Sequence, residues 1–109
     1  MAQNYQLAFE WYRSAAEQGH AQAQCALGCM YLDGQGVFSD PQLAFAWFEK
    51  AAVQGDAKAQ WNLSSLLVSG GEGVSQDLRQ AFIWCQSAAD LDFVPAQASL
   101  GVFYARMKD

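Results

Sequence analysis

The chain has little of what most functional classes require. It has two prolines, one histidine and six lysines and arginines against eleven aspartates and glutamates, for a net charge of −5. So few scattered cations give no basic stripe for nucleic acid and no patch for anionic lipid. No apolar run is long enough to span a bilayer. No basic start followed by an apolar core marks a signal peptide. The expected location is cytoplasmic, or periplasmic or secreted if a signal peptide has been removed. The three cysteines, Cys25, Cys29 and Cys85, are an odd number without a disulfide spacing. A zinc site would need about four ligands, and His20 is the lone histidine. The thiols read as small apolar fillers, and no metal or cofactor is expected.

Catalysis meets the same shortage. A hydrolase needs a nucleophile beside a positioned base. Ser14, Ser64, Ser65 and Ser87 exist, but His20 sits in a turn. Gly34-Gln35-Gly36 and Gly70-Gly71-Glu72-Gly73 follow helix patterns and carry no Lys-Ser or Lys-Thr. They read as helix exits, not phosphate loops. No catalytic residue is expected.

What the chain does have is internal repetition. Ala8-Phe9-Glu10-Trp11 returns as Ala44-Phe45-Ala46-Trp47 and as Ala81-Phe82-Ile83-Trp84, at spacings of 36 and then 37 residues. Ala15-Ala16, Ala23-Gln24 and Leu27 return in step with them. A period of this size marks a stacked array of helical hairpins. The pattern predicts one all-α domain over 1–109, with repeats at approximately 4–39, 40–76 and 77–109.

The middle repeat shows how one unit is written. Asp40 can cap the first amides of a helix, and Pro41 is tolerated at its first position. Leu43, Ala44, Trp47, Phe48, Ala51 and Ala52 then recur at helical spacing. Gly55 ends this helix by entering the left-handed region. Asp56 caps a second helix, with Ala59, Leu63, Leu66 and Leu67 on its apolar stripe. The residues Gly70 to Gly73 break it, Val74 tucks back into the core, and Asp77 opens the next unit. The third repeat has Asp92 where Gly19 and Gly55 stand in the others. Aspartate tolerates the left-handed region better than most residues, so the turn should survive. Ala44, Ala51, Ala52 and Ala59 should line a close contact between helices, with Trp47 filling the adjacent space. Trp47→Ala is then expected to cost about 3–5 kcal/mol through the cavity it leaves.

The first unit carries a motif that resembles the Sel1-like repeat, a relative of the tetratricopeptide repeat. The residues are Ala8, Phe9, Trp11, Tyr12, Ala15, Ala16, Gln18, Gly19, Ala21, Ala23, Gln24, Leu27, Gly28, Met30, Tyr31, Gly34, Gly36, Val37 and Asp40. The second unit departs from it at Ser64 and Leu67, the third at Cys85 and at the turn. The structural signature is Trp11, Gly19, Trp47, Gly55 and Trp84. The resemblance implies a right-handed α-solenoid of three helix-turn-helix units acting as a protein–protein interaction scaffold or adaptor. The family includes bacterial signalling and host-interaction proteins and eukaryotic quality-control adaptors. The partner implied is another protein or peptide, held in a concave groove lined by the first helix of each pair. A module binding a small ligand or a peptidoglycan fragment is the alternative. Some bacterial members were also once linked to β-lactam binding or hydrolysis.

Positions that vary between repeats are not needed for the common stacking. On the first helices they include Glu10, Ala46 and Ile83; Arg13, Glu49 and Gln86; Ser14, Lys50 and Ser87; Glu17, Val53 and Asp90. Ile83 stands out as a branched apolar residue in place of Glu10 and Ala46. The expected partner site is an apolar floor of Ala46 and Ile83 edged by Glu49, Lys50 and Gln86. Trp61 reads as inter-repeat packing. Val102, Phe103 and Tyr104 have no following repeat to cover them, and Met1 to Asn4 include no capping helix. The expectation is a fragment of a longer array, or self-association through uncapped ends.

Overall fold

The computed structural model describes residues 4–107. It contains six helices of thirteen residues each: α1 (Tyr5–Glu17), α2 (Ala21–Asp33), α3 (Pro41–Val53), α4 (Ala57–Ser69), α5 (Leu78–Asp90) and α6 (Val94–Arg106). There is no strand among the described residues. Each helix packs mainly on its sequence neighbours, so the array is elongated, 49 × 27 × 27 Å. This is an α-solenoid of three helix-turn-helix repeats. The expectation about Met1 to Asn4 rests largely on residues outside the described ones.

The helix starts follow from the polar residues before them. Asn4, Asp40 and Asp77 accept hydrogen bonds from the amides of Leu7, Leu43 and Gln80 at 3.1–3.2 Å. Asp56 does the same for α4, from the amide of Ala59 at 3.0 Å. His20 caps α2, its Nδ1 accepting from the amide of Ala23 at 3.1 Å. Only α6 lacks a side-chain cap. It begins after Phe93, with Pro95 in its first turn.

Within each hairpin the turn has one recurrent geometry. Gly19 and Gly55 adopt φ of 91° and 96°, and Asp92 takes the equivalent place at φ 65°. The bonds are the same with aspartate: Asp92 and Phe93 donate to the carbonyls of Ala89 and Ala88, as Gly19 and His20 do to those of Ala16 and Ala15. The repeated Ala-Gln pair is explained here too. Gln24, Gln60 and Gln97 reach back from the second helix and donate through Nε2 to the carbonyls of Ala16, Ala52 and Ala89, at 3.1, 3.0 and 3.3 Å. Each glutamine therefore ties the two helices of its hairpin at the turn.

Between hairpins the chain returns through a loop closed by one backbone bond, Asp40 to Tyr31 at 2.7 Å and Asp77 to Leu67 at 2.9 Å. The second loop absorbs its extra residue in a reciprocal pair of backbone bonds between Gly71 and Val74. Val74 is buried beneath it.

The core follows the small residues. Ala44, Phe48, Ala51, Ala52 and Ala59 are at most 1% exposed. The tryptophans behave differently from the expectation. Trp47 is only half-buried and packs backwards on Ala16, Ala23 and Leu27 of the first repeat. Trp84 likewise packs back on the second repeat's core. Trp11 has no earlier repeat among the described residues and is 75% exposed. The tryptophan thus seals each unit onto its predecessor rather than filling its own hairpin. Leu43 also lies off the buried stripe, 42% exposed. Because part of the Trp47 ring stays in water, Trp47→Ala should cost about 2–3 kcal/mol, below the range for a fully buried aromatic. Trp11→Ala should stay within about 0.5 kcal/mol of wild type, and Ala52→Leu should lose about 1–3 kcal/mol by overpacking. Urea unfolding of the three variants measures all of these.

Candidate partner-binding site

The exposed stripe of α5 organises the third repeat's surface. Arg79, Ile83, Gln86 and Asp90 follow one another at spacings of four, three and four, which places them in one row along the helix. All four are exposed, and Ile83 keeps 52% of its surface in water. Two cavities flank this row. The larger, about 750 Å³, lies between α4, α5 and α6, with Val68, Leu78, Phe82, Val102 and Phe103 in its apolar wall and Arg79 and Arg106 at its edge. The smaller, about 520 Å³, lies at the other end and is lined by Gly55, Gln60, Ile83, Gln86, Ser87, Asp90 and Leu91. Ile83 lines both, so the two cavities adjoin at this side chain along α5 and together make a trough, with Arg79 and Arg106 bordering one end and Asp90 the other.

The aromatic rings lining the trough pack on one another. Phe82 meets Phe103 and Tyr104 edge-to-face, with ring centroids 5.7 and 5.6 Å apart. Trp61 is half-buried, donates through Nε1 to Ser99 Oγ at 3.1 Å and packs on Phe93. It joins α4 to α6, the inter-repeat role expected of it. Val102 and Tyr104 are about half exposed, at 51% and 55%.

The expected site residues separate. Ile83 and Gln86 come together in the trough with Ser87 and Asp90, which vary between the repeats. Ala46, Glu49 and Lys50 are exposed on α3 but line neither cavity. Lys50 instead holds its ammonium 5.1 Å from the centroid of the Trp47 ring, so it stays by its own helix. Sequence reasoning missed Arg79, Phe82 and, at the smaller cavity, Gln60. The signal for Gln60 was available in the repeats: Gln18 and Gln54 end the first helices of their hairpins, whereas Leu91 ends the third.

The cysteines form no cluster of three or more metal-ligating groups among the described residues. Cys25 and Cys29 face each other one helical turn apart. Asn62 of α4 donates to both sulfurs at 3.6 Å. The hydrogen bond from Cys25 lowers the Cys29 thiol to a pKa of about 7, with help from the charge of Lys58. The same contact, together with burial, pushes Cys25 up. Cys85 is pushed up by burial and donates to the carbonyl of Ala96 at 3.3 Å.

These features define a class: a helical-repeat solenoid with a trough on the surface of its third repeat. The chain belongs to the Sel1 repeat family, whose model matches residues 1–20, 21–56 and 57–93. That division starts its full units at α2 and α4, cutting the array at different joints from the hairpin division. A protective antigen of uropathogenic Escherichia coli, described as displaying an SLR fold, superposes with a TM-score of 0.95 at 33% identity over 100% of this chain and 23% of its own. A Sel1 repeat protein from Oxalobacter formigenes superposes with a TM-score of 0.87 at 37% identity, over 97% of this chain and 43% of its own. The chain therefore spans less than half the length of either solved protein. No curated protein matches it. No helix among the described residues is long and apolar enough to cross a membrane.

The thiol pair predicts selective chemistry, because the thiolate is the reactive form. Iodoacetamide at pH 8 should modify Cys29 first and leave Cys25 and Cys85 largely unreacted. The Cys29 rate should fall as pH drops through about 7. Mass spectrometry of quenched samples reads both.

Proposed function

We propose that the chain is a non-catalytic interaction scaffold that binds an extended segment of another polypeptide in the trough along α5. One observation carries this reading: Ile83, a large apolar side chain left half in water where two cavities meet. Apolar side chains set in a concave surface with polar ends suit peptide recognition. From Arg79 to Asp90 the row runs about 16 Å at the helical rise, the length of about five extended residues. The floor of the proposed site is Ile83 and Phe82, and its edge is Gln86, in place of the α3 residues.

Capture from native extract by wild type and Ile83→Glu tests the reading, with circular dichroism confirming that both are folded. The expected result is a polypeptide bound by wild type and reduced at least about tenfold by the variant, the loss typical of a buried apolar anchor. Equal capture by both proteins would contradict it.

A further inference from the structure

The smaller cavity of the trough has a chemistry of its own. At the first repeat junction, Gln54 ends α3 and donates through Nε2 to Gln24 Oε1 at 2.8 Å, while Gln24 Nε2 holds the Ala16 carbonyl. That glutamine has both ends of its amide engaged. At the second junction Gln60 is the counterpart of Gln24, and its Nε2 holds the Ala52 carbonyl in the same way. The counterpart of Gln54 is Leu91, which has no donor to offer. Gln60 Oε1 is consequently buried without a hydrogen-bond partner, on a residue only 4% exposed. Because Nε2 is committed to Ala52, rotating the amide would break a bond rather than make one. A buried acceptor left unpaired is costly, and this one belongs to a residue lining a cavity of about 520 Å³.

We propose that this end of the trough is a recognition pocket for a cationic side chain, lysine or arginine, of the bound segment. The groups lining it suit a positively charged donor. Asp90 supplies a carboxylate and Ser87 a hydroxyl, the unpartnered Gln60 Oε1 belongs to a residue bordering the cavity, and no lysine or arginine lines it. Ile83 and Leu91 form an apolar wall against which an aliphatic stem can lie while its charged head reaches the acceptors. The opposite end of the trough carries Arg79 and Arg106. The pair of ends therefore also sets direction: the cation of the bound segment sits by Asp90 and any acidic residue by the arginines. This inference rests on the scaffold reading for the nature of the ligand, but the pocket itself can be tested without a natural partner.

The test is a titration of 15N-labelled protein with the blocked tripeptides acetyl-Ala-Lys-Ala-amide and acetyl-Ala-norleucine-Ala-amide, followed by NMR. The lysine peptide should produce saturable shifts of the Gln60 side-chain amide and of the backbone amides from Ser87 to Leu91. The norleucine peptide should not. Asp90→Asn should weaken the lysine peptide about fivefold, the upper range for an exposed ion pair. Leu91→Gln should install at the second junction the hydrogen bond that Gln54 makes at the first, raise Tm and abolish the shifts. Leu91 is half exposed, so both variants should fold. Equal shifts from the two peptides, as when water alone serves Gln60, would overturn the pocket, and so would undiminished binding to Leu91→Gln. Lysine-peptide binding with equal capture by wild type and Ile83→Glu would sink the scaffold reading and leave the pocket standing. Loss of capture without lysine-peptide binding would sink the pocket alone.

Discussion

The structure depends on one steric constraint: where the first helix of a repeat crosses the second helix of the one before, a small residue must face a larger one. A Cβ placed on Gly28 of α2 would lie 2.7 Å from two ring carbons of Phe48 on α3. Phe48 is fully buried, so this ring has no room to withdraw. At the next junction the sizes are rebalanced. Ser64 takes the glycine's place, Cys85 the phenylalanine's, and Ser64 Oγ donates to the Ala81 carbonyl at 2.6 Å. The two junctions are alternative solutions to one volume, as close-packed interiors require. In the third repeat Gly101 holds the same position, and a Cβ there would meet nothing within 4 Å.

This constraint makes neighbouring repeats mutually dependent. The family model's units, each a second helix followed by the next first helix, contain this contact whole, whereas the hairpin division splits it. A single hairpin leaves half of each size pair, and half of each tryptophan seal, without its counterpart. Nearest-neighbour stabilisation of this kind is characteristic of repeat arrays. It also leaves the outward rows of α1, α3 and α5 largely free of packing duty. The three rows accordingly differ: α1 carries an exposed Arg13–Glu17 pair at 3.2 Å, α3 carries Lys50 over its own tryptophan, and α5 carries the trough.

Much of the fold was legible because its signals are local. Asp40, Asp56 and Asp77 act as caps where they stand before apolar stripes, and Asp92 adopts the turn conformation of the glycines it replaces. The tryptophan's role was less legible. Trp11, Trp47 and Trp84 are identical by pattern, yet their burial depends on whether a repeat precedes them, which helical periodicity does not encode. The candidate site was half legible. All five expected residues differ from their counterparts and Ile83 stood out among them; Ile83 and Gln86 share a cavity, whereas Ala46, Glu49 and Lys50, chosen by the same variability, line neither. Gln60 escaped attention because it matches its counterparts. Its distinction comes from Leu91, which is far from it in sequence and beside the same cavity in space.

The most direct test of the size-pair constraint is a double-mutant cycle that moves the second junction's solution into the first, measured by urea unfolding. Gly28→Ser alone should lose about 1–3 kcal/mol by overpacking, and Phe48→Cys alone about 3–5 kcal/mol through the cavity it leaves. Together they should cost less than the sum by at least about 1 kcal/mol, the coupling expected of residues in contact. Losses that add to within about 0.5 kcal/mol, as for independent sites, would contradict the account.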